Sequence, residues 1–321
     1  MRRVACALCG KHNGDFLFVG RDRLHGLSGE FDLVRCRACS LVYLAPRPSW
    51  DEARKFYPTE YAPHRAKAVS GLDRLIRSGG LRKKRDIVLR HKQGGSLLDV
   101  GCATGDFLSL MSEDGRWNVW GVEADAQAAG CAARVAGAEV VCGRAEDVDY
   151  PPSSFDVVTM WHVLEHLHDP KRALRHLRRA LRHDGVLIVA VPVLDSVDAK
   201  FFGRYWSGYD VPRHLSTFSM ATLSSMLVAA GFSSINFERF IGGCDAFGIS
   251  VGFWADERIR ARRMRSVIRV ASRSVVLRVL MVPYFALVNF LGRGSTVVAT
   301  GSPADLAGHP VETKSGRAFP D

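Results

Sequence analysis

The chain has 321 residues, 47% of them hydrophobic, with 30 glycines and 13 prolines. That composition excludes a collagen-like or wholly disordered protein, and the length allows roughly two domains of about 100–200 residues each. Forty-four Lys and Arg against 33 Asp and Glu leave a net charge of +11 and a pI near 9.5. Anionic partners therefore fit: nucleic acid, lipid headgroups or a phosphorylated substrate.

Met1-Arg2-Arg3 is followed by no apolar run of signal-peptide length, so the expected compartment is cytoplasmic and reducing. In such a compartment paired C-x-x-C knuckles mean metal more than disulfide. Cys6-x-x-Cys9 and Cys36-x-x-Cys39 are such a pair, with 26 residues between the knuckles, longer than the usual ribbon. Alternating apolar residues (Phe16 and Phe18, Phe31 and Leu33) suggest hairpins bearing those knuckles, a zinc-ribbon-like module over residues 1–45. Four protein thiolates close the site, so the Zn²⁺ is expected to be structural. Cys102, Cys131, Cys142 and Cys244 are scattered and read as small apolar residues.

Residues 46–93 read as a helical linker or cap. After Pro46-Arg47-Pro48, Ser49 is an N-cap with Glu52 completing a capping box, and a helix follows to about Tyr57. Tyr57 and Tyr61 flank Pro58, and residues 64–93 are basic and helical in pattern.

The core is expected over residues 94–241. Leu97-Leu98-Asp99-Val100-Gly101-Cys102-Ala103-Thr104-Gly105 is a buried strand feeding a tight small-residue turn, with a helical pattern after it. A second apolar strand ends in Glu123, where an acid can accept both hydroxyls of a ribose. A dinucleotide is a poor fit, because the G-x-G-x-x-G positions hold Ala103 and Asp106, and an acid repels a pyrophosphate. S-adenosylmethionine (SAM) has no phosphate and carries a cationic methionine moiety, which suits Asp99. Strands are predicted at 96–100, 119–123, 139–142, 155–161, 185–191 and 234–241, with helices between, among them 170–182 and 219–230, the latter closed by Gly231. This alternation implies a doubly wound, mostly parallel α/β sheet with its ligand at the carboxyl ends of the central strands.

D-V-G-C-A-T-G, Glu123 and the stretch F-D-V-V-T-M-W-H-V-L-E-H-L from Phe155 resemble class I SAM-dependent methyltransferases. The resemblance is to the branch that includes ubiquinone-type O-methyltransferases and methyltransferases of biosynthetic clusters. It covers residues 94–240. A subset of that branch has a Cys-rich N-terminus and a Pro-Arg-Pro and Tyr-rich segment, as residues 6–61 have here. The resemblance implies a Rossmann-like sheet of seven strands whose last, antiparallel strand is 295–300. It also implies cofactor contacts from Asp99, Gly101, Cys102, Ala103, Thr104, Gly105, Glu123, Ala124 and Trp161, with Ala145 and Glu146 beside the adenine. Ala103 departs from the commoner glycine and should slightly tighten the loop.

Methyl transfer is an in-line displacement, so the protein must align the nucleophile and deprotonate it when it is a hydroxyl. After the fourth strand, His162 and His166 are candidate bases, with Trp161 and Val163 lining the cofactor; alternatively Glu165 and His166 cap the next helix. The branch places a P-R-H-L segment over the acceptor pocket, and Pro212-Arg213-His214-Leu215 matches it. His214 is then the first choice as base, with Arg213 holding an acidic acceptor group and Tyr205, Trp206 and Tyr209 forming an aromatic wall. The same H-x-x-E-H also spells an inverted zinc-protease motif, which needs a helix and here follows a β-like run.

Residues 242–294 are an insertion. Eight arginines crowd residues 258–278, and residues 275–291 are strongly apolar but interrupted by Arg278, Pro283 and Asn289. A buried helical hairpin is favoured over an interfacial helix with peripheral contact on the inner face of a membrane through 256–292; a spanning helix is disfavoured by length. Residues 301–321 read as a disordered tail. The favoured function is methyl transfer to a small-molecule or lipid- or sugar-linked biosynthetic acceptor, at oxygen. The alternatives are an RNA methyltransferase using ribbon and basic patches, disfavoured by the lack of an N/D-P-P-Y/F segment after the fourth strand, and a non-catalytic SAM-fold binding protein. Oligomeric state is not legible.

Overall fold

The computed structural model describes residues 4–57, 71–135, 137–239, 244–272 and 274–304. Strands β1 (Gly14–Gly20), β2 (Phe31–Cys36) and β3 (Val42–Leu44) form an antiparallel sheet. The two Cys knuckles turn alike: Gly10 N–H donates to Cys6 O (2.8 Å) and Ser40 N–H to Cys36 O (2.9 Å), with Gly10 and Ser40 at φ +75° and +64°. This ribbon-like module packs directly on the core. β3 pairs with Ser216–Thr217, deep in the second half of the chain. Cys6, Leu8, Val34, Leu41 and Tyr43 also pack in one apolar cluster with Leu164, Leu174 and Phe218.

Ser49 caps α1 (Trp50–Arg54) through the predicted box with Glu52. The basic helix is α2 (Gly71–His91); Pro58, Tyr61 and residues 64–70 lie outside the described residues. The core follows as β4 (Gly95–Val100), α3 (Asp106–Ser112), β5 (Trp117–Glu123), α4 (Ala126–Ala132), β6 (Ala138–Cys142), β7 (Phe155–Trp161), α5 (Pro170–Ala180) and β8 (Leu181–Pro192). Then come α6 (Val197–Phe202), β9 (Ser216–Thr217), α7 (Met220–Ala229) and β10 (Phe232–Arg239), with β11 (Thr296–Pro303) closing the sheet. The seven-stranded sheet has the order β10-β11-β8-β7-β4-β5-β6, with β11 antiparallel to both neighbours and the pairs from β8 to β6 parallel. β4, β7 and β8 are buried on both faces, which is why their sequences run apolar without alternation.

Three boundaries differ from the sequence reading. The fifth helix ends at Ala180, because Leu181 turns extended and pairs with Phe155. β10 starts at Phe232, whose ring is buried; residues 240–241 lie outside the described residues. Gly301 to Pro303 are not tail but the end of β11, paired to β8 and β10, and residues 305–321 are outside the described residues. In α5, Ala173, Leu174, Leu177 and Ala180 are buried, Arg172, Arg175 and Arg179 are exposed, and Arg178 reaches back to Gly231 O and Ala304 O (2.7 Å each).

The insertion forms α8 (Cys244–Arg258), α9 (Arg262–Ser272), α10 (Val275–Leu280) and α11 (Val282–Phe290). Phe247 anchors it against Phe202 and Phe285, with ring centroids 5.2 and 5.8 Å apart. The stretch expected to be a buried hairpin is helical but only partly buried: Phe285, Val288 and Asn289 are covered, while Leu280 and Phe290 are 69% and 66% exposed. Among the described residues no helix is long and apolar enough to cross a membrane.

Candidate active site

Strand order reverses between β7 and β4, and the carboxyl ends of β4, β5 and β7 open there into a cleft of about 1020 Å³. This is where a doubly wound sheet binds its ligand. Every residue from Asp99 to Thr104 lines it, with Glu123, Ala124, Ala145, Glu146 and Trp161. Gly105 is behind the turn, at φ +83° over Ala132, as the N-cap of α3.

The turn after β4 is left-handed at three places: Gly101 (φ +72°), Ala103 (φ +49°) and Gly105. A Cβ on Gly101 would run into Val163. Ala103 does more than tighten the loop, because a Cβ in this region costs about 1 kcal/mol. Its amide repays that cost by donating to Glu123 Oε2 (2.9 Å), while Asp125 N–H donates to Oε1 (2.9 Å). Glu123, 7% exposed, thus fastens both cofactor loops while facing the cleft.

Asp99 is also buried and accepts from Thr159 Oγ1 (2.6 Å). Burial raises its carboxyl to about 6, against the pull of Lys84 and Thr159. Lys84 comes from α2, lies 5.2 Å from the Trp161 ring, and is itself pushed down by burial. At the far side, Arg144 pairs with the buried Glu146 (2.5 Å) and lies 5.1 Å over Trp50. Trp50, Tyr57 and Lys84 all line the cleft and escaped the sequence reading. The signal was present for Tyr57, beside the capping-box helix, but nothing local placed it opposite β7.

The acceptor end surrounds one carboxylate. Glu165 is fully buried, with His162 Nδ1 at 3.3 Å and His214 Nε2 at 4.0 Å from its Oε1. Burial raises the Glu165 carboxyl, but the three imidazoles outweigh it and the net shift is downward. His214 Nδ1 lies 2.7 Å from Gly208 O; His166 Nδ1 lies 3.1 Å from Arg213 O and 2.9 Å from Tyr57 Oη. A carbonyl or carboxylate at Nδ1 requires the proton there, so a neutral ring so placed keeps its lone pair on Nε2. His166 is held down to about 4, chiefly by burial and then by His214, so it is neutral near pH 7. His162, at φ +59°, is the most open of the three; its side chain is 43% exposed, against 11% for His214. Glu165 and His166 sit on a single 3-10 turn, not on the α-helix a zinc-protease motif needs. Glu165, His166 and His214 nonetheless bring their ligand atoms within 4.8 Å of one another and can hold a metal ion.

Two expectations fail here. Arg213 does not reach the acceptor: its side chain is 0% exposed, bonded to Asp210, Asp22 and Phe56 O. Tyr205, Trp206 and Tyr209 form no pocket wall, since Tyr205 and Trp206 are buried under α8 and Tyr209 packs on Phe18 and Trp206. At the ribbon, Cys6 and Cys39 sulfurs are 3.4 Å apart, as are those of Cys9 and Cys36, and all four lie within 4.8 Å of one another. A tetrahedral zinc site needs S···S separations of about 3.8 Å, so this donor set fits one with small adjustments.

A doubly wound seven-stranded sheet with this acidic, glycine-turned cleft at its switch point defines a SAM-dependent methyltransferase. Residues 72–236, just over half of the chain, match the profile described as "Methyltransferase domain", and the chain belongs to that family. It is 25% identical over 194 residues to a demethylmenaquinone methyltransferase of Listeria monocytogenes, covering 51% of this chain and 81% of that one. It is 34% identical over 101 residues to a ubiquinone biosynthesis O-methyltransferase of Neisseria meningitidis, covering 29% and 42%. An uncharacterized Methanocaldococcus jannaschii protein is 30% identical over 128 residues, about half of its own length. Among solved structures, a Thermotoga maritima SAM-dependent methyltransferase superposes with TM-score 0.50 at 18% identity, covering 79% of this chain and 100% of that one. Haemonchus contortus phosphoethanolamine N-methyltransferase 2 gives 0.51 at 17%, covering 79% and 60%. Both show the shared fold.

Proposed function

We propose that this protein methylates a hydroxyl oxygen of a small-molecule biosynthetic acceptor, with His162 as the base and Glu165 as its orienting partner. One observation carries this: a fully buried carboxylate holds Nδ1 of a cleft-lining imidazole. A carboxylate so placed fixes the tautomer, aims Nε2 outward and stabilises the imidazolium that forms. His162 replaces His214, the first choice from sequence, because His214 is less open and its free Nε2 faces Glu165. The relative named a ubiquinone biosynthesis O-methyltransferase supports oxygen as the acceptor atom, and the one named a demethylmenaquinone methyltransferase supports a quinone-related acceptor.

SAM, when bound, supplies an electrophilic methyl on a cationic sulfur. Asp99 and Glu123 would hold its charged and ribose ends, the turn at Gly101 would allow the close approach, and Glu146 and Ala145 would border the adenine. His162 Nε2 would take the acceptor hydroxyl proton as the O–C bond forms and the methyl's C–S bond breaks, the cofactor leaving as a neutral thioether. Tyr57 and His166, hydrogen-bonded across the cleft, close the acceptor end. We assign Cys6, Cys9, Cys36 and Cys39 a structural Zn²⁺, on the strength of their mutual spacing.

The test is a methyl-transfer assay with labelled SAM against paired hydroxylated and amine acceptors. His162→Ala and Glu165→Gln should each lower kcat by about 10²–10⁴ while SAM affinity stays within twofold or so. Methylation confined to amines would overturn the oxygen reading, and parental kcat in His162→Ala would overturn the base.

A further inference from the structure

Helices α9 and α11 turn much of their apolar surface to solvent. A helix on the surface of a soluble domain turns its apolar arc inward and its polar arc to water. In α9, Arg265 and Arg269 reach the backbone and carboxylate of Asp256 on α8, at 3.3 and 2.6 Å. Met264, Val267 and Val270 are exposed by 54%, 63% and 73%, beside the exposed Arg262 and Arg263. In α11 the inward face is mixed: Phe285 and Val288 are buried beside two polar residues. Tyr284 Oη donates to Asp198 (2.8 Å), and the buried Asn289 donates to Phe285 O (2.6 Å). Val282, Pro283, Ala286, Leu287 and Phe290 fill the exposed arc, with no polar side chain among them. Of the sixteen large hydrophobic residues exposed in the described protein, ten fall between Trp254 and Leu291. They are therefore concentrated on one insertion, where single scattered exposures need no explanation and a cluster does.

The charge around this surface has one sign. Residues 258–293 contain nine arginines and no acidic residue. Arg260, Arg262 and Arg263 are exposed, and no acidic partner is seen for them among the described residues. A second copy of this chain would set arginine against arginine. A nucleic acid would meet the cations but leave the apolar arcs wet. An anionic lipid surface matches both features, with acyl chains under the apolar arcs and headgroups beside the guanidinium groups.

We propose that α9 and α11 seat this protein on the surface of an anionic bilayer, lying in the interface without crossing it. Partition is then driven by apolar burial and by charge together, and does not depend on which acceptor is methylated.

The test uses the full chain in its zinc-loaded state. Co-sedimentation is measured with phosphatidylcholine vesicles and with vesicles in which about a third of the lipid is phosphatidylglycerol. Binding should favour the anionic vesicles about tenfold or more and weaken as salt rises. Val267→Glu with Leu287→Glu should reduce binding about tenfold, as should Arg260→Glu with Arg262→Glu and Arg263→Glu. These side chains are solvent-facing, so circular dichroism melting should be unchanged. Trp254, 42% exposed, gives a readout on the parent protein: its fluorescence should shift to the blue on anionic vesicles alone. Absence of sedimentation and of the blue shift with anionic vesicles would overturn the proposal. So would equal binding to neutral lipid, or a lipid-free dimer that Val267→Glu with Leu287→Glu dissociates.

Discussion

Replacing Arg213 by Met separates two roles for one residue. Arg213 donates from Nε and Nη2 to Asp210 (2.9 and 2.6 Å), from Nη2 to Asp22 (2.8 Å), and from Nη1 to Phe56 O (3.0 Å). These partners belong to the ribbon, the linker after α1 and the loop before β9, so one guanidinium pins three segments. Burial works against its charge, but the two carboxylates win and hold it firmly protonated. Burial likewise raises Asp210, and the bonds from Arg213 more than reverse this. Removing one partner from a buried ionic cluster costs about 3–5 kcal/mol. Asp22 keeps the backbone amides of Leu24 and His25 (3.2 and 3.1 Å), which places the expected loss near the lower end, about 3 kcal/mol. That is roughly a hundredfold in the folding equilibrium, and about 4–5 °C in Tm for a chain of 321 residues. Melting followed by circular dichroism on the zinc-loaded protein measures it, and calorimetry with SAM well below Tm should give parental affinity. Arg213→Lys should not rescue, because an ammonium cannot reproduce the fork. A variant with parental Tm and abolished methyl transfer would refute the reasoning and return Arg213 to the acceptor.

Asp99 sets a pH dependence for the cofactor. Its carboxyl is raised to about 6 in the free protein, so it is neutral below that pH and ionised above. A cationic methionine moiety prefers the ionised form; SAM affinity should therefore fall as pH drops from 7 to 5 and should flatten in Asp99→Asn. Titration calorimetry across that range checks it, and a pH-independent Kd in the parent would contradict the placement. Chelation of zinc, or Cys36→Ser, should remove one metal per chain and lower Tm by several degrees, because the ribbon supplies Asp22 and β3 to the core. Metal content by mass spectrometry alongside melting decides this; a metal-free parent as stable as the zinc-loaded one would count against the site.

Much of the cofactor half was legible in the sequence because its determinants are local. The apolar run into Asp99, the small residues at 101–105 and the acid at Glu123 each follow from neighbours within a few positions. They recovered the sheet class and the loops that line the cleft. Even there, the chain did not disclose that Glu123 bonds the amide of Ala103, since that contact joins two strands. The knuckle spacing was equally local and brought four sulfurs together as expected.

What the sequence by itself determined is therefore the alternation of elements, the nucleoside turn and the Cys pairs, all written in short periodic patterns. Only the tertiary structure decided that Arg213 is a buried pin, that Tyr57 meets His166 across 109 positions, that three imidazoles share Glu165, and that α9 and α11 turn much of their apolar surface to solvent. Those facts depend on which distant segments become neighbours. A hydrophobic or basic residue has the same local signature whether packing turns it inward or out, and a long-range partner leaves no trace in periodicity.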